Sequence, residues 1–381
     1  MYMYANTSRI LSTAKAGNWQ ELKRLVEYGA NVNEKDNDGK TVLCYVASSG
    51  SLEMVDYLVE LGAVVNCKDN WNKTALHYAA CSGSLELVKY LVEHGADVDC
   101  ENVQKETALL YAVYSGSLDI VKYLVNQRAD VNCKSEGYST VLSFAVRTGS
   151  LEMVKYLVEH GADVNCENNL TDNPLQCASI MNSLEIVKYL VQHGAYINCK
   201  NELSKTALHC AASAGSLDIV EYLVEHGANV NSLYRYTGNA ATALHCAVVS
   251  GSLEIVKYLV ENGANVTRED CYGEETVLFL ACSSRNRSEF IVDYLLEHGG
   301  IKDIYDYDGS GCSLLSKACY YGSTALVRTL LKFEFDIRKE IELICGNEEI
   351  FNILKLELTK SIKNSGKIQI LKRMNNENLT K

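Results

Sequence analysis

A 33-residue period governs this chain. The stretch Gly83-Ser-Leu-Glu-Leu-Val-Lys-Tyr-Leu-Val-Glu-His-Gly95 recurs along most of its length, with the leading glycine at Gly50, Gly83, Gly116 and Gly149. Asn182 takes the next equivalent place and Gly215 the one after; later steps lengthen to reach Gly251, Arg287 and Gly322. Upstream, Gly17 lies one period before Gly50, which makes about ten copies in all. A unit of this size cannot bury an apolar face alone, so copies must stack and share one continuous core.

Each unit reads as two helices and a turn. In Thr74-Ala-Leu-His-Tyr-Ala-Ala-Cys-Ser-Gly83 a threonine precedes small apolar residues and a glycine ends the run, the pattern of a short capped helix. In the next stretch Leu85, Val88, Leu91 and Val92 share one helical face, while Glu86, Lys89 and Glu93 form the wet one. Gly95 suits a left-handed closing position, and residues 96–106 are polar, as a projecting turn requires.

The pattern resembles the ankyrin repeat, carried by Thr74-Ala-Leu-His77, Thr206-Ala-Leu-His209 and Thr242-Ala-Leu-His245, with a weaker Thr107-Ala-Leu-Leu110. The chain's one proline, Pro174 after Asn173, occupies the family's own proline place. The resemblance spans roughly residues 8–335. It implies an all-α fold: an ankyrin-repeat α-solenoid of about ten 33-residue helix-turn-helix units with projecting hairpin-like loops. The expected domains are an N-terminal capping repeat at 1–37, a repeat array of about nine repeats at 38–335, C-terminal capping helices at 336–358 and a basic, flexible tail at 359–381.

Most recurring residues read as scaffold. Tyr57, Tyr90, Tyr123, Tyr156, Tyr189, Tyr222, Tyr258 and Tyr294 are read as a stacked inter-repeat core with hydroxyls at its margin. The resemblance implies that His77, His209 and His245 bond the adjoining turn backbone. His94, His160, His193, His226 and His298 end the second helices, where partial positive charge is favourable. Cys67, Cys100, Cys133, Cys166 and Cys199 form a loop ladder. Stacking sets neighbours about 10 Å apart, beyond the Cα reach of about 7 Å for a disulfide. Reduced thiols are expected, with redox sensing by a loop thiol left as the alternative. No Cys-x-x-Cys, phosphate loop, nucleophile elbow or His-Glu-x-x-His occurs, so no catalytic site, metal or cofactor is expected.

The positions that differ between copies are where a partner would be read. The resemblance implies a concave surface made from loop tips and the exposed ends of first helices. There stand Trp71, Tyr114, Arg147, Ile180, Met181 and Leu203, joined by Leu233, Tyr234, Arg235 and Tyr236 in a loop three residues longer than its equivalents. Aromatic, arginine and flexible apolar side chains are the usual interface anchors. Arg128 replaces a closing glycine, which costs roughly 1–2 kcal/mol if the left-handed geometry is kept.

Net charge is −12, so nucleic acid is not an expected partner. No apolar run is long enough to cross a membrane, and the start lacks a secretory pattern, so a cytoplasmic or nuclear monomer is expected. The tail from 359 carries a net +5, leaving −17 elsewhere. It reads as a solvated terminus, with weak anionic-surface contact or partner recruitment as the alternative. The favoured function is a non-catalytic interaction scaffold or adaptor that binds a protein. The runner-up is an effector of the viral or bacterial ankyrin type, whose C-terminal segment recruits machinery such as a ubiquitin ligase.

Overall fold

The computed structural model describes residues 2–137, 139–166, 172–236, 239–267, 276–283, 289–305, 307, 311–333, 335 and 348–364. The chain divides into two units, Met1–Glu202 and Leu203–Lys381.

The first unit is built from helix pairs. Tyr2–Lys15 pairs with Trp19–Glu27, Val42–Ser48 with Leu52–Glu60, Ala75–Ser82 with Leu85–Glu93 and Ala108–Tyr114 with Leu118–Asn126. Val141–Arg147 then pairs with Leu151–Glu159, and Pro174–Ile180 with Leu184–Gln192. The first helices pack against one another in succession and carry the small residues that permit it: Ala75, Ala79 and Ala80 in one, Ala108 and Ala112 in the next, all buried. Second helices contribute Leu87, Val88 and Leu91, or Ile120, Val121 and Leu124, each fully buried. Every fully buried side chain of that size stabilises by about 1.5–3 kcal/mol, so the core is a stacked series of equal layers. At the N-terminal end Ile10, Leu11 and Ala14 close the stack while Arg9 faces water and pairs with Glu21 at 2.9 Å.

The N-cap threonine is a recurring local device. The Thr74 backbone N–H donates to Nδ1 of His77 at 3.1 Å, and the ring Nε2–H donates to the Glu106 carbonyl at 3.2 Å. Thr206 and His209 repeat the arrangement, with Nε2–H donating to the Ser232 carbonyl at 2.9 Å. Where the signature histidine is absent, Gln176 performs both tasks, accepting from Asn173 N–H and donating to the Cys199 carbonyl. Thr140 and Thr107 lie 3.1 and 3.3 Å from the thiols of Cys166 and Cys133. These two loop cysteines are therefore tucked behind the caps, and burial pushes the Cys133 thiol up to about 11.

The second unit continues the pairing from Ala207–Ala214 with Leu217–Glu225 and Ala243–Ser250 with Leu253–Glu261. Val277–Ser283 pairs with Glu289–Glu297, and Leu314–Tyr320 with Thr324–Leu330. The three extra loop residues make a small antiparallel hairpin, Tyr234–Tyr236 against Asn239–Ala241. A final helix, Glu348–Asn364, lays Ile350, Leu354 and Leu358 onto Thr324–Leu330. It runs beyond residue 358, where the tail was expected to begin, because Thr359 bonds back to the Lys355 carbonyl and Lys360 pairs with Glu357. The first part of the expected capping helices, 336–347, and the expected tail from residue 365 on lie outside the described residues.

The second-helix tyrosines depart from the expected core role: all eight are half-buried. Each of five carries the closing histidine of its own helix. The histidine Nδ1–H donates to the tyrosine carbonyl four residues earlier at 2.7–2.8 Å. The two rings lie face to face, 3.9–4.0 Å apart. The imidazole thus caps the helix end through its Nδ1–H as well as by any charge it carries.

Candidate partner-binding surface

The candidate surface of the first unit begins with its turns. Asp69 Oδ1 accepts from the backbone N–H of Trp71 at 2.9 Å and of Lys73 at 2.8 Å, which fixes the turn with Asn72 at φ 60°. Asp36 closes the preceding turn in the same way, and Asn102 the following one. Successive tips are joined by backbone bonds, Asn70 N–H to the Asp38 carbonyl and Val103 N–H to the Trp71 carbonyl, both 2.9 Å. Gly39 cannot carry a side chain here: its φ is 75°, and a Cβ would meet Asn70 Oδ1 at 2.4 Å. Trp71 is therefore held on both sides while the residue stays 43% exposed.

Beside these turns runs a ladder of rings. Tyr45, Tyr78, Tyr111 and Phe144 occupy the same place on four consecutive first helices, all half-buried. Tyr45 O–H donates to Asp36 Oδ2 and Tyr78 O–H to Asp69 Oδ2, each at 2.5 Å; Tyr111 O–H reaches Glu106 at 2.9 Å. Burial alone would raise the Asp36 carboxyl, but the Tyr45 hydroxyl, two backbone N–H groups and the Lys40 charge hold it below its usual value. Burial and the facing carboxylate push Tyr45 up to about 12 and raise Tyr78 as well. These hydroxyls stay protonated and keep the rings fixed.

Two of the anticipated anchors converge on this ladder. Tyr114 packs edge-on against Phe144 at 4.7 Å, and the Arg147 guanidinium lies over the Phe144 ring at 5.8 Å. Tyr114 is 45% exposed, and Arg147 is exposed too. Ile180 and Met181 stand exposed at the end of the next first helix, and Cys81 is exposed at the equivalent end three repeats earlier. In the second unit Leu203 and Arg235 are exposed, Leu233 is half-buried, and the Tyr236 side chain lies outside the described residues.

Tyr234 does not join them. Its ring is buried against His209 at 4.8 Å, with Cys246 Sγ 3.7 Å from its hydroxyl and Lys205 over its face at 6.0 Å. The reason lies in the first helices: this unit has Cys210 and Cys246 where four consecutive first helices of the first unit have tyrosine or phenylalanine. The hairpin folds Tyr234 back into the space that those smaller side chains leave. The ring ladder itself escaped sequence reading, although its 33-residue recurrence, broken at Cys177, was there to be found.

Stacked helix pairs with capped turns and a variable row of presented side chains define a repeat-type binding module. Models of ankyrin repeats match residues 25–79 and, in three copies, 62–135, 109–201 and 196–270. The chain belongs to the ankyrin-repeat family, whose repeats are typically non-catalytic protein-interaction modules. Among solved structures it is similar to the human ASB11 ankyrin repeat domain, with 27% identity and a TM-score of 0.53 over 60% of this chain and 99% of that one. A comparison with curated proteins gives no match. Among the described residues no helix is long and apolar enough to cross a membrane, and no group of three His, Cys, Asp or Glu is placed to hold a metal.

Proposed function

We propose that this chain is a non-catalytic scaffold or adaptor that binds a partner protein through its loop tips and first-helix ends. The observation that carries this reading is the convergence of Tyr114 and Arg147 on Phe144, with an exposed Trp71 two repeats earlier whose turn is fixed by Asp69. Rigid aromatic and arginine anchors lose little entropy on binding and dominate interface energetics. Ile180 and Met181 extend the same row, while Leu203, Leu233 and Arg235 form a separate patch on the second unit. An intracellular location belongs to the same proposal, supported by the loop thiols of Cys133 and Cys166, which are held against threonine hydroxyls rather than paired. So does the domain reading of a capping repeat, an array and a C-terminal cap, with the cap extended to Asn364.

A second reading, recruitment of other machinery by the C-terminal segment, draws on Leu356. It is exposed on the final helix, beside Lys332 and Lys360 around one shallow cavity. One capture experiment tests both readings, using cross-linked full-length protein from its native cell. Trp71→Ala, Tyr114→Ala and Arg147→Ala should each weaken the main partner by about 2 kcal/mol or more. Glu86→Ala, on the opposite helix, should change nothing. Leu356→Asp should remove a distinct partner class only if the second reading holds. Unchanged capture by all three anchor variants would sink the scaffold reading.

A further inference from the structure

Lys40 sits where three aromatic rings meet. Its ammonium lies 5.8 Å from the centre of Tyr45, 5.5 Å from that of Trp71 and 5.6 Å from that of Tyr78. A cation within about 6 Å of a ring face is held by the ring quadrupole, and several rings together form a cage selective for ammonium groups. The walls come from three separate elements: the helices Val42–Ser48 and Ala75–Ser82 and the turn at 69–73. Two of the rings are tied to carboxylates, Tyr45 to Asp36 and Tyr78 to Asp69, so their orientation is set and negative charge lies behind them. Asp69 is itself buried, and Trp71 leaves one side open to water.

We propose that this cage is a binding site for an alkylammonium group, the side chain of a lysine on the partner protein, and that Lys40 is its built-in plug. This rests on the partner-binding role proposed above and names the chemistry of one contact within it. The chain's own ammonium shows what the rings accept. Lys40 is also well placed to leave: its backbone is anchored by N–H donation to Asp36 at 2.9 Å, so its side chain can swing out without disturbing the turn. The next repeat has only part of the arrangement. Lys73 lies 4.9 Å from the Tyr111 ring, but Gln104 stands where Trp71 does, and Glu106 replaces the lysine of the repeat after. The complete cage is thus particular to the Lys40 repeat among the repeats of the first unit.

A tethered plug competes with any free ligand, so removing it should uncover the site. Lys40→Ala in the full-length protein should bind the amide of N-acetyl-trimethyllysine, or of N-acetyl-lysine, at least about tenfold more tightly than the unaltered protein. Trp71 fluorescence provides the readout. An uncharged neohexyl analogue of the trimethylated probe should bind neither form, and adding Trp71→Phe to Lys40→Ala should abolish the fluorescence response. Comparing the two lysine probes tells methylated from unmodified side chains, and saturable binding of either supports the cage. A flat titration of Lys40→Ala with an unchanged melting temperature overturns the proposal, as does equal binding of the neohexyl analogue. No partner protein is present in this titration, so its failure rejects the cage alone, while the capture experiment decides the binding face separately.

Discussion

At the scale of single residues, His77 shows how a side chain can serve structure through its protonation state. Nδ1 accepts the Thr74 N–H while Nε2–H donates, so only the neutral ring satisfies both bonds. Burial, aided by the Lys73 charge, lowers its pKa, with the Glu106 carbonyl and Asp69 acting the other way. The unfolded residue titrates at about 6.5, so its contribution to stability is complete above that pH and is lost as pH falls toward the lower folded value. The chain supplies its own non-titrating version of this cap in Gln176. His77→Gln should therefore keep stability at pH 7 within about 1 kcal/mol. It should also flatten the loss below pH 6.5 in urea melts, and an unchanged slope would refute the assignment. The histidine signature was plain in the sequence. Tyr234 was not: an aromatic residue in a long loop reads as exposed, and only the small Cys246 opposite explains its burial.

Between elements, an asparagine clamp ties five of the described turns to the next repeat. Asn66 Nδ2–H donates to the Gly95 carbonyl at 2.7 Å while its Oδ1 accepts the Asp97 N–H at 2.9 Å. Asn33, Asn132, Asn165 and Asn231 do the same. At one seam both partners change. Asp99 accepts the Asp130 N–H at 3.0 Å but has no N–H to give in return, and the carbonyl in the matching place belongs to Arg128, at φ 68°. Restoring the pair with Asp99→Asn and Arg128→Gly should add a hydrogen bond worth about 1 kcal/mol and relieve a left-handed residue of about 1–2 kcal/mol. Chemical denaturation should show a gain of roughly 2 kcal/mol; no gain would show that the seam is not weakened. Arg128 stood out in the sequence as a departure from the repeat. The matching change at Asp99 did not, because the clamp joins residues 29 apart and a carboxylate looks harmless on an exposed turn.

For the whole molecule, stability should follow the sum of repeat and interface terms rather than one global core. The two units differ in regularity: the first keeps a strict 33-residue step, while the second carries the lengthened ones. Both tryptophans, Trp19 and Trp71, lie in the first unit. Tryptophan fluorescence thus reports that unit alone, whereas far-ultraviolet circular dichroism reports helices of both. Urea unfolding should give non-coincident curves by the two probes, and superimposable curves would mean that the units melt as one. The architecture at this scale was legible from the period, since stacking follows from a unit too small to fold alone. The division after Glu202 was not, because the signature runs through it without a break.

Cys81 has a practical consequence. Among the described cysteines it alone is exposed, and it stands at the end of a first helix in the row that also presents Tyr114 and Arg147. Its sulfur is open to a maleimide dye under conditions in which Cys133 and Cys166, behind the threonine caps, react slowly. A fluorophore placed there would sit at the edge of the binding row without any engineered attachment point, and its emission would register a docked partner directly.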